Sequence, residues 1–447
     1  MKRSLVLAGG GMRVAWQAGV VKALAEEGLK FQHIDGTSGG ILTAGMMLSG
    51  VSAEDMCRRW SVVDVKDFSS ALPFADYVKG PWSLPALGDA DGILNKIFPA
   101  LGINAETIRD RAAGPDAVEG SFNVVEFTSK QCHAIDAAHI DAELMAAGMS
   151  LPIFLEPLRR DGKIWTDAVW VRDANVEEAL RRGAREVWLI WCIGNSPYWG
   201  DGPLEQYVHM IEMSAMGALL ADFGAAAAAG RDFVLHVIRP EHPLPLDPEF
   251  YLGRIDADTL IGMGYRDARA YLDAMDPDGL AKDARCTAMT EPAPGVRFND
   301  ELHGELDGQP LKFRAAVVVP SEPGDAAPQL SGYLDHRQFG RAFLADGRVE
   351  ANGDDLTYRA RVRLDGSWQD VALTRSLHDD PGPDAWSDIR TARLTIGGHA
   401  VELTMGLGDV AGLLASVEPV GAHGVSERAQ VVARFTANGF RELLRRY

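Results

Sequence analysis

FQHIDGTSGGILTAGMM, residues 31–47, decides how the rest of this 447-residue chain is read. A short strand pattern (Phe31, His33, Ile34) runs into Gly36-Thr37-Ser38-Gly39-Gly40, and a small-residue apolar segment that reads as a helix follows. Gly-x-Ser-x-Gly between a strand and a helix predicts a turn so sharp that the serine takes a strained backbone conformation. The glycines remove Cβ atoms that would clash where strand and helix cross. The helix beginning there aims unpaired N–H groups at any charge developing beside Ser38.

On its own the pattern also describes an ordinary turn in a chain with 47 glycines. A second cluster, Gly9-Gly10-Gly11-Met12-Arg13, lies upstream between a strand (Ser4 to Ala8) and a helix from about Val14 to Glu27. Two strand–glycine–helix turns in succession place both loops at the carboxyl edge of a parallel sheet, where open α/β sheets bind ligands. The triplet fails as a dinucleotide fingerprint because Val14 stands where the third glycine belongs, and no Gly-Lys-Ser/Thr follows to make a phosphate loop. A plain tight turn is the competing reading. Beside a nucleophile, the N–H groups of Gly10, Gly11, Met12 and Gly39 are candidate donors to a tetrahedral oxyanion.

LVLAGGGMRVAWQAGVVKALAEEG followed by IDGTSGGILTA resembles the opening of the patatin-like phospholipase family, with its Gly-Gly-Gly-x-Arg/Lys loop and its elbow about twenty-five residues later. That resemblance implies a serine–aspartate dyad without a catalytic histidine. The segment MSLPIFLEPLRRDGKIWTDAVWVRDANVEEALRRGAREVWLIWCI, residues 149–193, is similar to the family's Ser-x-Pro and Asp-Gly-Gly/Ala blocks, and it carries the aspartate over onto Asp167, fifteen residues after Pro152. Departures are Ala168 and Val169 after that aspartate, Asp173 and Asn175 in place of an asparagine and a proline, and Val14 where glycine is common. The resemblance covers about the first 280 residues. It implies an ester-cleaving lipid acyl hydrolase of phospholipid or lysophospholipid type, with Ser38 and Asp167 catalytic and Arg13 orienting the glycine loop.

At 47% hydrophobic and 24% charged the composition is that of a globular protein, long enough for two or three domains. No run of 18 apolar residues suggests a membrane span. MKRSLVLAGGG has too short an apolar run for a signal peptide, so a cytoplasmic location is expected. Cys57, Cys132, Cys192 and Cys286 are too scattered for a metal site or a disulfide framework. A net charge of −19 argues against nucleic acid and against standing attachment to anionic bilayers, leaving a lipid or ester substrate and at most a transient contact with a membrane surface. The chemistry requires no metal or organic cofactor, and nothing in the sequence fixes an oligomeric state.

Alternating elements predict a three-layer α/β/α domain with a mostly parallel sheet over 1–285: strands at Ser121–Thr128, Glu186–Ile193 and Asp232–Arg239, helices at Asp136–Met145, Glu177–Arg182 and Ile211–Gly230, and a helix within Leu252–Met275. An aromatic and proline-rich patch (Leu72, Pro73, Phe74, Tyr77, Pro81, Trp82, Leu84, Pro85, Ile97, Phe98, Pro99) is either acyl-pocket lining or ordinary packing. Short alternating runs over 290–447 predict a smaller antiparallel β barrel or sandwich, in which His303, His336, His378, His399 and His423 are scattered. Phe440, Leu443, Leu444 and Tyr447 close the chain at helical spacing.

Two other functional readings stay open on the sequence. One is an α/β-hydrolase triad in which His236 or His242 serves Ser38. The other is a lipid-binding module whose hydrolase site has decayed, kept open by Ala168 after Asp167.

Overall fold

Leu5-Val6-Leu7 is apolar and fully buried on both faces, as a central strand of a covered parallel sheet must be. It belongs to β1 (Arg3–Leu7), followed by β2 (His33–Thr37), β3 (Glu119–Glu126), β4 (Gln131–Asp136), β5 (Leu158–Arg160), β6 (Lys163–Asp167), β7 (Glu186–Ile190) and β8 (Val234–Ile238). The computed structural model describes residues 1–68, 86–195, 197–245, 255–322, 326–377 and 385–446. Residues 72–85 of the aromatic patch and His378 lie outside them, as do the side chains of Phe440, Leu443, Leu444 and Tyr447.

Strand order is β5-β6-β3-β2-β1-β7-β8, with β4 on β3. The stretch β3-β2-β1-β7-β8 is parallel, and β4, β5 and β6 are added antiparallel. Val6 and Ala8 pack in one core cluster with Val176, Ala179, Leu219 and Phe223 from helices Val176–Arg181 and Pro203–Ala228. Leu5 and Leu7 alternate to the opposite face, where Gly40–Leu48 packs on β1 and β2. The expected three-layer domain is therefore present.

Register along β3 explains the site. On one edge β4 pairs with residues 121–126; on the other, β2 pairs with 119–123 and β6 with 124–126. The end of β6 thus continues the line of β2, with Thr37 opposite Asn123 and Asp167 opposite Val124. Residues 129 positions apart in sequence are thereby brought side by side.

Local signals moved some boundaries. The helix expected from Asp136 starts at Ala142, because Asp141 accepts the Leu144 N–H as its N-cap and Asp136 ends β4. The alanine-rich helix begins at Pro203, a proline suited to a first turn, eight residues before Ile211.

The second unit holds β9 (Gly295–Leu306), β10 (Gln309–Pro320), β11 (Gln329–His336), β12 (Gly340–Phe343), β13 (Ala345–Asn352), β14 (Asp355–Leu364), β15 (Ser367–Ser376), β16 (Thr391–Ile396), β17 (His399–Thr404) and β18 (Glu418–Val420). It is a barrel rather than a sandwich: β9 pairs with β10 and also with β17, closing the ring. Leu302, Phe313, Val362, Leu373 and Leu394 are among the residues filling it. Helix Ala257–Asp273, expected with the first domain, groups with this unit. Tyr265 stacks on Phe343 with ring centroids 5.2 Å apart, and Asp258 accepts from Tyr333 Oη and Arg341 Nη1, both at 2.8 Å. Periodicity marks such a helix but says nothing of which core it serves. Residues Ala274–Thr290 return to the first unit.

Arg375 and Asp300 form a buried two-point ion pair in the barrel, at 2.6 and 2.8 Å. Removing one partner strands a buried charge, so Arg375→Met is expected to cost about 3–5 kcal/mol in urea unfolding. The double change Arg375→Met with Asp300→Leu should recover most of that loss.

Candidate active site

Ser38 has φ +51°, a left-handed conformation that a non-glycine residue adopts only under constraint. The constraint is the crossing of β2 and helix Gly40–Leu48: a Cβ on Gly40 would lie 2.2 Å from the Leu7 carbonyl oxygen, so only glycine lets the helix start there. Held in this way, Ser38 Oγ donates to Asp167 Oδ2 at 2.7 Å.

Asp167 is 1% exposed, and burial pushes its carboxyl up to about 7 despite the hydrogen bonds from Ser38 and from the backbone N–H groups of Val169 and Ala168. Its Oδ1 accepts from Val169 N at 2.9 Å, which fixes the rotamer that faces the serine. Ala168 has φ −88°, an ordinary right-handed value, so alanine in the family's glycine position costs no backbone strain.

The glycine loop lies opposite. Gly11 has φ +59° and begins the short turn Gly11–Val14 that leads into helix Ala15–Glu26. The loop is held from behind: Gly9 N donates to Asp173 Oδ1 at 2.8 Å, Cys192 Sγ donates to Gly9 O at 2.9 Å, and Arg13 Nε donates to Gly10 O at 3.0 Å. The N–H groups of Gly10, Gly11 and Gly39 donate to no acceptor among the described residues, and Gly10, Gly11, Met12 and Gly39 all line the same cavity as Ser38.

Beneath the elbow runs a buried polar network that sequence reasoning did not find. Asn123 Nδ2 donates to Asp35 Oδ1 at 2.7 Å and to Thr37 Oγ1 at 2.9 Å, and Asn175 Nδ2 donates to Asn123 Oδ1 at 2.7 Å. Ser121 Oγ donates to Asp35, so it accepts from His33 Nε2 at 2.8 Å, and His33 Nδ1 in turn accepts from Ser4 at 2.7 Å. Burial lowers His33 to about 4, keeping the imidazole neutral. The signal was present in the sequence: Asp35 and Thr37, and Ser121 and Asn123, are polar pairs at strand spacing inside buried strands.

Ser38 opens into a cavity of about 570 Å³ whose lining is mostly apolar, with Leu42, Phe68, Met149, Leu151, Phe154 and Ile211 among its walls. Tyr207 is a polar exception; its hydroxyl donates to Pro152 O at 2.7 Å. Ile97 and Phe98, from the described end of the aromatic patch, are buried, and neither lines the cavity.

Neither histidine proposed for a triad is brought to Ser38. His236 stacks on Trp188 at 4.3 Å and is level with Ile34 three strands across the sheet, about 14 Å away at the usual strand spacing. His242 Nδ1 is bonded to Thr290 O at 2.9 Å. In the barrel, Glu301, His303 and Asp409 approach within 4.8 Å of one another, but Lys312 Nζ already pairs with Glu301 at 2.8 Å.

Comparison with known proteins gives three findings. Residues 5–180 match the model of the patatin-like phospholipase family. The lysophospholipase NTE1 of Lodderomyces elongisporus is 22% identical over 300 residues, covering 59% of this chain; the chain spans about a fifth of that protein's length (19%). The structure of VipD from Legionella pneumophila is similar at 14% identity and a TM-score of 0.31, covering 61% of this chain and 67% of that one. The family match takes in the glycine loop, the elbow and the carboxylate that meets it, and the conclusion is that residues 5–180 match a patatin-like phospholipase domain.

Proposed function

We propose that the chain is a serine-dependent lipid acyl hydrolase that cleaves carboxylic esters of phospholipid or lysophospholipid type. The observation that carries this reading is the 2.7 Å contact between a buried aspartate and Ser38 Oγ, whose residue lines a mostly apolar cavity. The family and the lysophospholipase relative support lipid as the substrate class.

Asp167 takes the Ser38 proton while Oγ attacks the ester carbonyl carbon. The resulting oxyanion faces the N–H groups of Gly10, Gly11, Met12 and Gly39, with the N-terminus of helix Gly40–Leu48 adding its positive end. Collapse breaks the ester C–O bond, and the leaving alcohol takes the proton from Asp167. Water, activated by the same carboxylate, then releases the fatty acid from Ser38. The short Ser38–Asp167 contact and the unstrained Ala168 favour a competent site over a decayed one.

A panel of lysophospholipid, phospholipid, glyceride and simple esters tests the reading, and failure to cleave any of them would overturn it. Because the base must be ionised, kcat/KM should rise about tenfold per pH unit below about 7. His236→Gln and His242→Gln should each keep kcat within about threefold; a loss of orders of magnitude in either would restore the triad.

A further inference from the structure

The cavity mouth is bordered by apolar side chains that point into solvent. Ile153 is 59% exposed and has φ +78°, a conformation that a β-branched residue adopts only when its surroundings force it. The forcing contacts are to the cavity wall: Leu87 N donates to Ile153 O at 2.8 Å, and Gly88 N to Phe154 O at 3.0 Å. Phe154 packs edge-on against Tyr207, with ring centroids 5.5 Å apart, on helix Pro203–Ala228. Met210 and Met213 follow Tyr207 at three-residue steps on that helix and are exposed, Met213 at 60%. Trp199, also exposed, stacks on His209 of the same helix at 4.8 Å. The helix is long and apolar enough to cross a membrane, yet Ile211, Ala215, Leu219 and Phe223 on its inner side belong to the core beside β7 and β8. From Met210 onward the exposed residues of its outer side are apolar.

Charge selects the occupant. Between Glu186 and Gly230 there is no Lys or Arg, while Glu186, Asp201, Glu205, Glu212 and Asp222 are acidic. An anionic bilayer gains nothing from such a segment, and the chain's net charge of −19 repels it. We propose that Leu87, Ile153, Phe154, Trp199, Met210 and Met213 form a docking face that seats the cavity mouth on an uncharged or zwitterionic lipid surface. The proposal deepens the hydrolase reading and rests on it for the identity of the cavity's ligand. An ester inside an aggregate then reaches Ser38 without crossing water, and the exposed side chains are buried among acyl chains.

The test separates docking from chemistry by measuring binding with the full chain carrying Ser38→Ala. That protein should float with phosphatidylcholine vesicles, and 20 mol% phosphatidylglycerol should not strengthen the association. Ile153→Asp with Met213→Asp should weaken flotation at least tenfold. In the chain with Ser38 intact, the same pair should leave hydrolysis of a short water-soluble ester within about twofold, since neither residue lines the cavity. Absence of vesicle binding, binding that requires the anionic lipid, or binding indifferent to the two aspartates would overturn the proposal. A dimer abolished by the aspartates in a chain that ignores vesicles would instead assign the face to a second copy. Loss of soluble-ester hydrolysis in the unsubstituted chain would count against the hydrolase reading alone.

Discussion

Ser38→Ala is expected to lower kcat on a lysophospholipid by about four orders of magnitude or more, and to abolish covalent labelling by a fluorophosphonate, read as the mass added to the intact protein. Asp167→Asn keeps the shape of the side chain and can still accept from Ser38, but an amide cannot take up the proton, so a loss of about 10³–10⁴-fold is expected. The two effects should not add. Once the nucleophile is gone the base has nothing to activate, and the double variant should be about as slow as Ser38→Ala alone. Ser38→Ala activity within tenfold of the parent would mean that another group attacks the ester. Additive losses would mean that Asp167 acts on something other than Ser38.

How much of this was legible beforehand depends on whether the signal was local. The elbow was, because Gly36, Ser38, Gly39 and Gly40 satisfy a steric requirement within five residues. The glycine loop was legible by the same logic. Asp167 came only from the family resemblance: nothing near Thr166-Asp167-Ala168 says that β6 will extend the line of β2 along one edge of β3. The network of Asp35, Asn123 and Asn175 showed in the sequence only as polar pairs inside buried strands, and which residue bonds which emerges only when three elements are superposed. Helix Ala257–Asp273 shows the same limit, since amphipathic spacing fixes the face it buries but not the core that receives it. The barrel's strands were visible as alternation, whereas its closure depends on β9 pairing with both β10 and β17, a matter of register over long separations.

Asp173 stands where the family has asparagine, and the structure gives that difference a measurable consequence. Its Oδ1 holds the Gly9 N–H of the glycine loop at 2.8 Å, and its Oδ2 is buried with no partner among the described residues. Burial pushes the carboxyl up to about 8, the charge of Asp167 adds to the rise, and Arg13 opposes it. At neutral pH the group is therefore an uncharged acid whose carbonyl oxygen supports the loop. Above about 8 it ionises, placing a negative charge beside a site that must stabilise another. The parent enzyme should accordingly show a bell-shaped kcat/KM profile, rising through about 7 as Asp167 ionises and falling above about 8 as Asp173 does. Asp173→Asn keeps an acceptor for Gly9 without the titration, so activity at pH 7 should stay within about threefold while the alkaline fall disappears. Asp173→Leu instead leaves the buried Gly9 N–H unpaired at a cost of about 1–3 kcal/mol, lets the loop relax, and should lower kcat about a hundredfold at every pH with a smaller change in KM. If the asparagine variant keeps the alkaline limb, the titrating group is not Asp173, and its part at the site reduces to packing.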